Sequence, residues 1–290
     1  MSTYDNHRHE SASDKLPLTR RHLVQLATWG IAAAMLPTSN ASAQSLTQQV
    51  PAAFGKLRNK PVLEIGVVIF PGIDQIDFTG PFEVLVRVPG AKIRIIGTQA
   101  DPVRDYNGLV LTPEMTLAEA PELDLLVVPG GPGQQALMQN EQLLQFIRRH
   151  HATGKPLFSV CTGALLCGGA GILDGRRATT HWSAIDLLPY FGAIAVDQRV
   201  VIDEEIVSAA GVTAGIDGAL IIAALLRGDV AAQRIQLGIQ YAPEPPFQAG
   251  LPATASADVL DDVTAKIKSL TESRLQTAKA FAAQMKRRTD

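Results

Sequence analysis

From residue 62 onward, short and almost wholly apolar runs alternate with longer segments in which apolar residues recur every three or four positions. VLEIGVVIF (62–70) stops at Pro71-Gly72 and reads as a buried strand, as do KIRIIGT (92–98) and DLLVVPGGPG (124–133), the latter closing in a Gly-rich turn. IDQIDFTGPFEVL predicts a loop and then a short helix starting near Gly80-Pro81. EQLLQFIRRHHATGK (141–155) has helical periodicity and a stop at Gly154. KPLFSVCTGALLCGGAG (155–171) predicts a strand, a turn at Cys161-Thr162-Gly163 and a helix. RRATTHW then predicts a strand entering a helix, AIAVDQRVVIDEEIVSAAG further β segments, and TAGIDGALIIAALLRG a buried helix. Strands without inside/outside alternation, interleaved with helices, indicate an α/β domain over 61–240 with a parallel sheet covered on both faces.

The two ends depart from this pattern. Residues 241–290 read as a Pro-rich arm, YAPEPPFQAGLPATASAD, and a final helix with Leu260, Val263, Ile267, Leu270, Phe281 and Met285 along one stripe. Such a stripe needs a surface, supplied either by its own domain or by a partner subunit. At the other end, Arg20-Arg21 precede the apolar run LVQLATWGIAAAML and the small-x-small site Ala41-Ser42-Ala43. Residues 1–43 are therefore expected to be a twin-arginine export signal, with residues 44–60 as a polar linker and the mature protein in the periplasm. The run is interrupted by Gln25 and is too short for a permanent span, so no stable membrane span is expected after processing.

Composition narrows the function. The 290 residues are 46% hydrophobic with net charge −2, which suits one well-cored domain with extensions and lacks the basic, aromatic-interleaved cluster of a nucleic-acid binder. Of the two cysteines, Cys161 lies at the turn and Cys167 six residues on in the following helix, a placement that favours two free thiols. Cys167 reads as a small core residue.

Ligands in parallel sheets bind beyond the carboxyl ends of the strands, where Asp77, Gly130-Gly131 and Cys161 are all expected. Ser159-Val160-Cys161-Thr162-Gly163 has the small-x-nucleophile-x-Gly form of a nucleophile elbow. At a helix N-terminus its thiol is expected to ionise at neutral pH, with a pKa of about 4 to 7. Gly130 and Gly131 offer unobstructed backbone, and the Gly131 and Thr162 N–H groups are the candidates for stabilising charge that forms beside the sulfur. Asp77 is the candidate acid/base, and Asp74 the better helix N-cap. His150 and His151 fit a helix C-terminus, and His181 either approaches the site or caps a helix. With so few histidines, no metal site is expected.

Together IGVVIFPGIDQIDFTGP, DLLVVPGGPG, SVCTGALLCGGAGILDGRRATTHW, VTAGIDGAL and YAPEPPFQAG resemble the isonitrile hydratases of the PfpI-like branch of the class I glutamine amidotransferase superfamily. Peptidase and deglycase relatives carry His after the cysteine and Glu in the first loop; here those positions are Thr162 and Asp77. The resemblance implies a flavodoxin-like fold, a homodimer, no cofactor, hydration of an isonitrile to a formamide, and a catalytic set of Asp77, Cys161 and Thr162. It departs from the family's cytosolic members in the export signal and linker. Two alternatives remain open: a non-enzymatic ligand sensor, as in regulator effector domains, and another thiol enzyme of the amidase or stress-response type.

Overall fold

The computed structural model describes residues 50–289, so the segment expected to be an export signal (1–43) and the start of the expected linker lie outside the described residues. The strands are β1 (Leu63–Ile69), β2 (Ala91–Gly97), β3 (Val103–Arg104), β4 (Val110–Leu111), β5 (Met115–Thr116), β6 (Leu125–Val128), β7 (Leu157–Val160), β8 (Arg177–Ala178), β9 (Ile194–Ala195), β10 (Val200–Asp203) and β11 (Ile206–Ala209). The helices are α1 (Ala52–Gly55), α2 (Gln75–Leu85), α3 (Gln134–Leu137), α4 (Glu141–Ala152), α5 (Gly163–Gly169), a 3-10 helix (Trp182–Phe191), α6 (Ala214–Arg227), α7 (Asp229–Gly238) and α8 (Ala257–Thr289).

A seven-stranded sheet runs in the order β10-β11-β7-β6-β1-β2-β5, parallel throughout except for the β10–β11 hairpin. Strands β1, β6 and β7 are largely apolar because both faces are covered, and Ile65, Leu125, Leu126 and Phe158 are buried. Helices α1, α2, α6 and α7 form one flanking group, and α3, α4, α5, the 3-10 helix and α8 form the other. The chain leaves β1 toward β2 on one side, while β6 pairs with β1 on the other. The carboxyl ends of β1 and β6 therefore flank a switch point, where a crevice opens in such sheets.

Two expectations are corrected, and a question left open is answered for part of α8. Helix α2 begins at Gln75 and not near Gly80-Pro81, because Asp74 caps it: Asp74 Oδ1 accepts from the Ile76 N–H at 3.0 Å. This moves Asp77 from a loop into the first helical turn. The segment read as linker is docked from α1 onward, since Phe54 and Leu57 are in the core and Arg58 Nε donates to the Leu225 carbonyl at 3.1 Å. Finally, the second half of α8 covers its own domain. Ala278 is fully buried, and the Phe281 and Phe191 rings lie 5.0 Å apart. Helix α7 and the two-residue strands β3, β4 and β5 were not anticipated, being too short or too weakly periodic to stand out.

Candidate active site

Three turns meet at the carboxyl edge of the sheet. Strand β7 ends at Val160, and Cys161 follows with φ +54°, a left-handed conformation that is strained for a residue with a Cβ. Two contacts hold it there: the Cys161 N–H donates to the Ala209 carbonyl at 3.0 Å, and the Cys161 carbonyl accepts from Thr180 Oγ1 at 2.7 Å. Gly163 closes the elbow, since a Cβ there would overlap the Val128 carbonyl oxygen. Gly130 lets the β6 turn approach, for its Cβ would stand 2.5 Å from the Thr162 nitrogen.

Asp77 is fully buried beside this elbow. Its Oδ2 accepts from the Gly130 N–H at 2.9 Å, while Oδ1 has no nitrogen or oxygen partner. Burial, and then the charge of Asp74, push its pKa up to about 8 against the opposing pull of the Gly130 N–H, the Cys161 thiol and Arg274. A carboxyl whose pKa is raised in this way, next to a thiol, is suited to hold and pass a proton near neutral pH.

The thiol is not the ionised group expected from the sequence. Burial foremost, and then the neighbouring Asp77, push the Cys161 pKa well above its ordinary value, and the Thr162 N–H and Arg274 oppose this only in part. The physical reason is that removal of the sulfur from water outweighs the favourable Thr162 N–H at the start of α5. The glycine N–H groups are also placed otherwise than expected. That of Gly130 holds Asp77, and that of Gly131 donates to Thr162 Oγ1 at 3.1 Å, leaving the Thr162 N–H as the one of the two candidate donors that faces the sulfur.

Residues 64–225 match the model of the DJ-1/PfpI family, which spans more than half of the chain. The chain belongs to the DJ-1/PfpI family. Within it, the chain is 43% identical over 223 residues to isonitrile hydratase from Pseudomonas putida, an alignment covering 77% of this chain and 98% of that protein. It is 30% identical to the HTH-type transcriptional regulator CdhR of Pseudomonas aeruginosa, covering 58% of this chain and 52% of the regulator. Among solved structures, a THiJ/PfpI family protein from Pseudomonas syringae superposes with a TM-score of 0.73 at 37% identity, covering 75% of this chain and 90% of that one. Membership in this family fits the mostly parallel, flavodoxin-like sheet and the crevice at its carboxyl edge.

The other site candidates of this family member separate clearly. His181 is the N-cap of the 3-10 helix: its Nδ1 accepts from the Ser183 N–H at 3.3 Å and lies 2.8 Å from Ser183 Oγ. Burial, and then the charge of Arg274, push it down to about 4, so the ring stays neutral near pH 7. His150 Nε2 is 2.8 Å from the Pro156 carbonyl at the end of α4, and Cys167 is a fully buried free thiol. Among the described residues, no group of three or more His, Cys, Asp or Glu could hold a metal ion, and no helix is long and apolar enough to cross a membrane.

One residue at the site was missed. Arg274 of α8 is 6% exposed, and its guanidinium donates to Gln134 Oε1 at 3.1 Å, the Gly131 carbonyl at 3.0 Å and Thr162 Oγ1 at 3.3 Å. The sequence holds a signal for it. Ile267, Leu270, Ala278 and Phe281 form one stripe of α8, and an arginine in the middle of such a stripe needs buried acceptors.

Proposed function

We propose that the chain is an isonitrile hydratase, adding water to R–N≡C to give an N-substituted formamide. The observation that carries this reading is a fully buried, half-satisfied Asp77 carboxyl pinned by Gly130 beside the Cys161 elbow, where burial raises its pKa. An isonitrile needs both a nucleophile and a proton at its terminal carbon. The Cys161 S–H adds across that carbon, with Asp77 relaying the proton, and gives the thioimidate Cys–S–CH=N–R. Asp77 then gives its proton to the nitrogen and takes one from water, whose oxygen bonds to the same carbon, giving Cys–S–CH(OH)–NH–R. Collapse of the adduct breaks the C–S bond as the hydroxyl proton passes through Asp77 to the sulfur, and the products are R–NH–CHO and the restored thiol. The Thr162 N–H beside the sulfur stabilises negative charge that builds there. The 43% identity to the Pseudomonas putida enzyme supports this reading. No cofactor enters it, and the partner is a small molecule, not nucleic acid. Purified protein mixed with cyclohexyl isocyanide tests it through the appearance of the formamide.

The likeness to the CdhR regulator favours a second reading, a sensor that binds its ligand without turnover. Ligand binding without formamide would support the sensor.

The proposal extends to location and assembly. Arg20 and Arg21 ahead of the apolar run direct export to the periplasm by the twin-arginine route. Replacing both with Lys is expected to abolish periplasmic delivery in fractionated cells, and unchanged delivery contradicts this. The arm and the first half of α8 leave Phe247 (78% exposed), Leu251, Val259 and Val263 at the surface, and a second copy of the chain is the proposed cover. Light scattering is expected to give twice the mature chain mass, and a monomer at micromolar concentration contradicts it.

A further inference from the structure

We infer that Arg274 is a positioning residue for the Asp77–Cys161 pair, so that the C-terminal helix is a working part of the site and not only a cover. This rests on the hydratase reading of that site. The guanidinium is buried, yet each of its hydrogen-bond acceptors is neutral: a glutamine oxygen, a backbone carbonyl and a hydroxyl. A buried cation with no ionised partner is expensive to keep, and the groups able to become anions beside it are Asp77 and Cys161. Its effect on both is to favour the charged form, the form in which the pair hands a proton on.

The same side chain also fixes geometry. Arg274 holds the Gly131 carbonyl and the Thr162 hydroxyl, and that hydroxyl accepts from the Gly131 N–H. Gly131 follows Gly130, which clamps Asp77, and Thr162 follows Cys161, so one guanidinium ties the two turns that carry the reacting groups. Gln134 and Gln135 stitch α3 to α8 around it: Gln135 Nε2 donates to Thr277 Oγ1 at 2.7 Å and to the Ser273 carbonyl at 3.3 Å. The remaining charged or titratable groups acting on this cluster are Asp74 at the start of α2, Asp105 between β3 and β4, which acts on Asp74, and His181, which burial foremost, and then Arg274, keeps neutral.

The test is the pH dependence of Cys161 alkylation by iodoacetamide, which needs no isonitrile and so stands whether or not the protein is a hydratase. Arg274→Met is expected to move the rise in alkylation rate to higher pH by about one unit or more. Arg274→Lys, which retains the charge, is expected to return the rise to within about half a unit of wild type, with formamide production partly recovered. Should Arg274→Met fail to fold by circular dichroism, Arg274→Gln gives the same comparison, losing the charge while keeping a donor. An alkylation profile in the charge-free variant that is unshifted, or shifted to lower pH as a loosened and hydrated thiol would be, overturns the inference. So does a Lys variant shifted as far as Met.

Discussion

Cys161→Ala is expected to lower formamide production by about 10^3-fold or more while the circular dichroism spectrum is unchanged. The loss follows from chemistry, because without the sulfur no thioimidate forms and water must attack a free isonitrile unaided. The fold is expected to survive because alanine meets the same backbone demand as cysteine at φ +54°, and the Ala209 and Thr180 contacts that hold it are to main-chain atoms. Cys167→Ala serves as the control, since that thiol is fully buried in α5 and belongs to the core, and turnover should stay within about three-fold of wild type. Thr162→Val is expected to fall between the two, because its hydroxyl is the acceptor for the Gly131 N–H and for Arg274. If Cys161→Ala retains activity, the elbow cysteine is only a small core residue.

Asp77→Asn is expected to do two opposite things: to reduce turnover by about 10^2- to 10^4-fold and to raise stability at neutral pH. Asparagine keeps the size of the protonated acid and can still accept from the Gly130 N–H, but it cannot move a proton. The gain in stability follows from proton linkage. Burial raises the folded-state pKa from 3.8 to about 8, so between those values the folded protein keeps a proton that the unfolded chain has released. Wild-type stability therefore falls as pH rises through that window, and the variant is free of the loss. The melting temperature of Asp77→Asn should exceed wild type at pH 8, by about 2–4 °C for each kcal/mol relieved, and the difference should vanish near pH 3. A variant that is less stable than wild type at both pH values would show that Asp77 is not held as a neutral acid.

Much of the frame was legible because it depends on local pattern. The apolar runs at 62–70 and 124–133 became β1 and β6, and the order strand, Cys161, helix was visible from composition and glycine placement alone. What escaped depends on neighbours distant in sequence. Whether Cys161 ionises is decided by burial and by Asp77, 84 positions earlier, and not by the helix that follows it. The partners of the Gly130 and Gly131 N–H groups come from α2 and from Thr162, so their availability cannot be read from a Gly-Gly turn. Arg274 lies 112 residues from the Thr162 hydroxyl it contacts, and only its place within an apolar stripe hinted at burial. The start of α2 is a smaller case. Gly80 and Pro81 look like a helix boundary, yet the Asp74 cap starts the helix earlier and the proline is accommodated inside it.

The most direct measurement combines purified protein with cyclohexyl isocyanide at pH 8, follows N-cyclohexylformamide by NMR, and traps the enzyme in acid for intact mass. The expected result is catalytic formation of the formamide, with a trapped adduct of enzyme plus one isocyanide on the peptide carrying Cys161 and neither signal in Cys161→Ala. Unchanged isocyanide and an unmodified Cys161 would contradict the hydratase reading.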